Sequence, residues 1–270
     1  MKNVYLKLTV LAAALMSATP AFAASSALAS LTNLTVTLTS LNGGTPSITW
    51  DTSYGSNQVY AYTVDSSNVV QSNNIWGATP NATVLVFVGD ASLGANAVAT
   101  NISGTPITSS FISNGQALGT GKYGAYAGIG DSNSFTLSAN TIAVFSATAT
   151  ANANITIGTN VNGNESASSN VDLGVVGSYT SPGGTFYNLN NSATLTANVA
   201  NTAQSLNNAE TLSLSFDNLS NSSITGSINA SATVIGRSVS AVPEPGEWAL
   251  LLSGLGLMGF VATRRSKTAV

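Results

Sequence analysis

No cysteine and no histidine occur among the 270 residues. Their absence excludes disulfide staples, thiolate and imidazole metal sites, cysteine nucleophiles and any Ser-His-Asp triad. Charge is almost as scarce. Lys, Arg, Asp and Glu together make up 6% of the chain, where a soluble domain usually carries roughly a quarter. The formal net charge is −3, which excludes a basic nucleic-acid surface.

The few charges that exist are unevenly placed. Lys2 and Lys7 stand at the start, and Arg264, Arg265 and Lys267 at the end. Between Leu31 and Ser240 only Lys122 and Arg237 remain. They face eight acids, Asp51, Asp65, Asp90, Asp131, Glu165, Asp172, Glu210 and Asp217, so this span carries a net charge of −6.

Both ends read as targeting segments. Lys2 and Lys7 precede the apolar run Leu8 to Met16, and Ala21-Phe22-Ala23 follows. A basic start, a short apolar stretch and a small-x-small site make residues 1–23 a signal peptide, cut by signal peptidase to leave Ala24 first. The run is too short to span a bilayer. At the other end, Pro243-Glu244-Pro245 is followed by residues 248–263, which carry no charge, and by a basic end at 264–267. As a helix, 248–263 would cover about 24 Å, slightly less than a hydrocarbon core. Trp248 suits the water–lipid boundary, and the basic end should stay cytoplasmic. Residues 242–270 are therefore expected to form a tail with one transmembrane helix, separated from the body by prolines that no helix can run through.

This tail resembles the PEP-CTERM sorting signal. The resemblance rests on Pro243, Glu244 and Pro245, the Gly-rich apolar stretch with Trp248 near its start, and the Arg264-Arg265 cluster. It covers about thirty residues. It implies transient anchoring in the inner membrane of a Gram-negative host, recognition of Pro-Glu-Pro by an exosortase, and delivery to the cell surface, extracellular matrix or biofilm. Exopolysaccharide becomes a candidate partner on the same ground.

The body, residues 24–241, is expected to be all-β. From Leu31 to Ser240 there are 32 Ser, 28 Thr and 28 Asn, so hydroxyls and amides solvate it in place of charges. Apolar residues recur every second position, as half-buried antiparallel strands require. Leu34, Val36 and Leu38 oppose Thr35, Thr37 and Thr39. Val59, Ala61 and Thr63 oppose Tyr60, Tyr62 and Val64. Phe145 to Ile157 alternate with Ser, Thr and Asn, and so do Leu212 to Phe216 and Ile224 to Val234. The solid run Val84 to Val88 reads as a central strand. Ala91 to Ala99 offers a weak helix, and residues 158–170 read as the main internal loop. Asn42-Gly43-Gly44, Asn114-Gly115, Asn162-Gly163 and Pro182-Gly183-Gly184 read as turns. Phe87, Phe135, Phe145, Phe186 and Phe216 are expected to fill the core. The pattern points to an antiparallel β-sandwich or jelly-roll-like body, as one large or two small domains.

No catalytic, cofactor or metal site emerges. The eight acids are scattered and sit beside Ser, Asn or Gly, as turn acids do, so a glycosidase pair has little support. Asn160, Asn162, Asn164, Glu165 and Asp172 have partial calcium-loop spacing, but Glu165 stands where such a loop needs Gly. Trp50, Tyr54, Tyr60, Tyr62 and Trp76 cluster in the first third and form the candidate surface for stacking on sugar rings. The first functional reading is a non-enzymatic structural or adhesive protein of the envelope or matrix. The alternative is a carbohydrate-binding or carbohydrate-active protein acting on exopolysaccharide. A third, ice binding, is prompted by the Thr run 35–39 and would need that run repeated on neighbouring strands. No nucleic-acid partner is expected.

Overall fold

The computed structural model describes residues 23–51, 57–78, 83–90, 92–100, 110–160, 163–180, 183–239 and 253–258. Residues 23–239 form one compact unit of fourteen strands. Residues 253–258, the described part of the second unit, are helical.

The body folds as two antiparallel sheets. In the first, β5 (Thr83–Gly89), β6 (Leu93–Thr100), β7 (Ser110–Leu118), β1 (Ala24–Ser40) and β9 (Thr141–Asn160) follow in spatial order. Beyond β9 lie β13 (Thr202–Asn218) and the short β10 (Gly163–Asn164). In the second, the order is β12 (Phe186–Ala200), β11 (Ser166–Thr180), β14 (Ile224–Ser238), β8 (Gly121–Leu137), β3 (Asn57–Asp65) and β4 (Val70–Ala78). The short β2 (Ile48–Trp50) pairs with the far end of β8. β1 is central, paired with β7 on one side and β9 on the other.

One apolar cluster lies between the sheets, so the body is a single domain. The cluster is rich in alanine along β9, and its bulk comes from aromatics. Trp50, Phe135, Phe145 and Phe216 pack ring to ring, with centroid distances between 5.0 and 6.4 Å. Burying each phenylalanine contributes about 1.5–3 kcal/mol relative to exposure. At one side the sheet edges β12 and β13 are tied by side chains. Asn208 Nδ2 donates to the Thr196 carbonyl and Asn191 Nδ2 to the Ser215 carbonyl, both at 2.7 Å. Such ties occupy edge carbonyls that would otherwise offer a template for another strand.

The period-two faces hold in most places. Val59, Ala61 and Thr63 are buried, as are Leu212, Leu214 and Phe216, and Ile224, Ile228, Ala230, Ala232 and Val234 of β14. Along β1 the inward face changes parity. Ser25, Ala27, Ala29 and Leu31 point inward, then Leu34 does. A register shift between Thr32 and Thr35, with Asn33 at φ 55°, accounts for the change.

Several expectations are corrected. Residues 93–99 form strand β6, not a helix, because Ala95, Ala97 and Ala99 face the core in alternation. β5 is an edge strand, with Val86 and Val88 buried and Phe87 turned outward. Asn114-Gly115 lies within β7 rather than in a turn. Residues 158–170 are largely strand, since β9 runs to Asn160 and β11 starts at Ser166. Phe186, like Phe87, is exposed. Of the expected transmembrane stretch, only 253–258 fall among the described residues. No described helix is long and apolar enough to cross a membrane.

Candidate functional site

A buried carboxylate with four hydrogen bonds stands where spacing arguments placed a loop. Glu165 is fully buried. Its Oε2 accepts hydrogen bonds from the backbone N–H groups of Thr156, Ile157 and Gly158, at 3.2, 2.7 and 2.9 Å. Its Oε1 accepts from Ser238 Oγ at 2.9 Å. Three consecutive N–H groups converge because β9 bulges here. Gly158 has φ +86°, and a Cβ on it would stand 2.6 Å from the Asn201 backbone. Nearby, the Tyr123 hydroxyl bonds Ser25 Oγ, which also donates to the Ser166 carbonyl. Burial above all, with the Glu165 charge adding to it, pushes the Tyr123 phenol well above its ordinary range. The Tyr123 ring fits because residues 115 and 236 are glycines. A Cβ at either would lie 2.1 or 2.2 Å from it. This cluster is a structural keystone, with its acceptors already filled.

The calcium-loop residues do not converge. Glu165 is consumed as described. Asp172 lies on the outer face of β11, bonded to Asn170 and Thr194. Asn162 lies outside the described residues. Among the described residues no group of three acids could hold a metal ion.

Two acids do share a groove, of about 340 Å³, lined by Asp65 and Asp90 among others. Both are turn acids. Asp65 Oδ1 accepts from the Ser67 and Val69 N–H groups. Asp90 Oδ1 accepts from Ser92 Oγ and the Ser92 and Leu93 N–H groups. The Ser92 hydroxyl, then the two backbone donors, hold the Asp90 carboxyl below its ordinary value. That is opposite to what a general acid needs.

The aromatic candidates separate. Trp50 packs into the core aromatic cluster, and Tyr54 lies outside the described residues. Tyr60 and Tyr62 lie on the outer face of the second sheet, their ring centroids 5.7 Å apart. Burial, then the neighbouring Tyr60, raises the Tyr62 phenol. Trp76, 65% exposed, shares that face one strand away, opposite Gln58. Sequence spacing missed Tyr126, which stands directly opposite Tyr60 on β8. Glycines make room for these rings. Tyr62 lies over Gly124 and Tyr126 over Gly128, where a Cβ would be 2.2 and 2.5 Å from the phenol atoms. Beside Tyr126 an open groove of about 500 Å³ is lined by Asp172, Thr194, Asn229 and Ser231.

The Thr run of β1 does face outward. On β9, however, Thr35, Thr37 and Thr39 meet Ser146, Val144 and Ile142, so the run is not repeated there.

Of the processing residues, the structure describes Ala23 and Ala24. Ala21, Pro243, Glu244, Pro245, Arg264 and Arg265 lie outside the described residues. Ala23 is fully buried, and its carbonyl accepts from Gly119 N–H at 2.8 Å. Ala24 opens β1, its N–H donating to Thr156 Oγ1 at 2.8 Å.

An all-β body joined to a short C-terminal segment of separate character defines the general class. Residues 241–266 match the PEP-CTERM protein-sorting motif. The motif implies an exported protein, processed at the membrane by an exosortase before release to the surface. No curated protein and no solved structure matches the chain.

Proposed function

We propose that this is a non-enzymatic component of the cell envelope or extracellular matrix, structural or adhesive, working in an exopolysaccharide-rich setting. The observation that carries this reading is the outer surface of the first sheet. Adjacent strands there align hydroxyl side chains in rows, Thr32 with Thr148 and Thr211, and Thr35 with Ser146 and Ser213. Ser146 and Ser213 bond one another at 3.1 Å. Such a face offers many hydrogen-bonding groups and little charge, which suits contact with hydrated polymers. Signal peptidase would act first and the exosortase second, with the inner membrane as a transient station.

Fractionation of the host tests this. The protein, lacking its tail, is expected in the surface and matrix fractions, and its deletion is expected to weaken matrix cohesion without changing the chain length of the exopolysaccharide. Finding it only in the periplasm would overturn the reading. So would shortened polysaccharide in cells that overproduce it, which would favour a carbohydrate-active enzyme.

A further inference from the structure

The only two basic residues between Leu31 and Ser240 come together in the fold. Lys122 on β8 pairs in register with Arg237 on β14. Both side chains are exposed, and alternation puts them on the outer face, since Tyr123 and Val234 point inward. Neither makes an ion pair among the described residues. Chain positions 115 residues apart meet because β8 and β14 are neighbours, a juxtaposition invisible in sequence.

The same face carries the tyrosines in successive rows. Next to the Lys122–Arg237 row comes Tyr62 with Gly124 and Ile235, then Tyr60 with Tyr126 and Thr233. A third row holds Trp76, Gln58, Gly128 and Ser231. From Lys122 to Gly128 is about 20 Å along the strand, room for several sugar residues in line.

We infer that this face binds an acidic, uronate-type polysaccharide, with the tyrosines stacking on sugar rings and Lys122 and Arg237 meeting its carboxylates. The inference rests on the exopolysaccharide setting proposed above and names the polymer and the site. Aromatic rings accept the apolar faces of sugars. Hydroxyl and amide side chains between them suit sugar hydroxyls. The charge is complementary, since a chain otherwise poor in cations has placed both on one face. Asp65, one position beyond Val64, is turned into its own loop amides. Asp172 lies in the row of Ser231, about 20 Å from the cations along the strands and beyond the ~10 Å screening length at 0.1 M salt.

Affinity electrophoresis of the exported protein, purified from its host, tests the site. Polygalacturonate in the gel is expected to retard it and dextran is not. The exposed substitutions Lys122→Gln with Arg237→Gln should weaken retardation about ten-fold, the size of two surface charge contacts. Tyr60→Ala with Tyr126→Ala should abolish it, with unchanged thermal midpoints confirming folding. Equal retardation by dextran, full retardation of the Lys122/Arg237 variant, tighter binding of single-stranded DNA, or no retardation at all would each overturn the proposal. These outcomes bear on the site alone, because matrix location is read separately by fractionation.

Discussion

Burying a carboxylate strips its hydration, and Glu165 recovers that loss from four donors of its own chain. The three N–H groups belong to consecutive residues, which a regular strand would point alternately to opposite sides. The bulge at Gly158 and the carboxylate therefore require each other. Glu165→Ala would remove the acceptor from three N–H groups, that of Gly158 buried and those of Thr156 and Ile157 partly so. At about 1–3 kcal/mol for the buried group and about 1 kcal/mol for each partly buried one, the loss is about 3–5 kcal/mol, a drop in thermal midpoint on the order of 10 °C. Glu165→Gln keeps one oxygen for the N–H groups, while its amide nitrogen can donate to the Ser238 hydroxyl. Its expected cost is smaller, about 1–2 kcal/mol. Thermal melts of the exported protein check both. If the alanine variant melts with the parent, the carboxylate is not what holds this end of β9.

The position of β1 constrains how the chain is processed. Its first eight residues pair with β7 while most of its length pairs with β9, so the first strand synthesised becomes a central one. The expected signal-peptidase bond, Ala23–Ala24, lies at its start, with Ala23 buried and the groups on both sides hydrogen-bonded. A protease needs that segment extended and unpaired. Cleavage should therefore precede folding, and a purified, folded precursor should resist signal peptidase while the same precursor unfolded in urea is cut to Ala24. Equal cutting of both forms, read by mass spectrometry, would refute this. The strands themselves were legible wherever large apolar residues alternate with Ser or Thr, as in Leu212 to Phe216. They were not legible where alanine and glycine do the packing. The Ala24 to Leu31 half of β1 and all of β6 look featureless in sequence because their partners supply the bulk. Asn114-Gly115 imitates a turn, yet Gly115 is small only to admit Tyr123 from the facing sheet. The aromatic surface was half legible. Tyr60 and Tyr62 announce themselves by spacing, whereas Tyr126 joins them only through the β3–β8 pairing. Glu165 was legible only as a mismatched calcium-loop residue and not as a buried carboxylate, because a carboxylate bound by a bulge depends on backbone geometry that composition does not encode.

At the scale of the whole molecule, the core ends before the tail begins. β14 closes at Ser238, Val239 is still buried, and the compact body extends no further than Val239. The PEP-CTERM motif starts at residue 241. Removing the tail therefore takes no described strand from either sheet, and the released body should keep its fold. Proline supplies no N–H and breaks helices and ladders, so Pro243 and Pro245 suit a segment that a membrane enzyme is expected to read. If residues 248–263 enter the membrane as the sequence leads one to expect, Gly254, Gly256 and Gly259 would weaken that stretch as a permanent helix, while Arg264, Arg265 and Lys267 would resist passage through the membrane. An anchor of that kind would be sufficient to hold the protein for processing and marginal for keeping it. Replacing Pro243-Glu244-Pro245 with alanines is expected to leave the protein exported but held in the inner membrane with its tail uncut. Ending the chain at Val242 should instead release a soluble, folded body into the periplasm that never reaches the surface. Immunoblots of inner-membrane, periplasmic and surface fractions separate these cases by size and place. If the alanine variant is trimmed and surfaces as the parent does, processing does not read Pro-Glu-Pro, and the tail is an ordinary anchor.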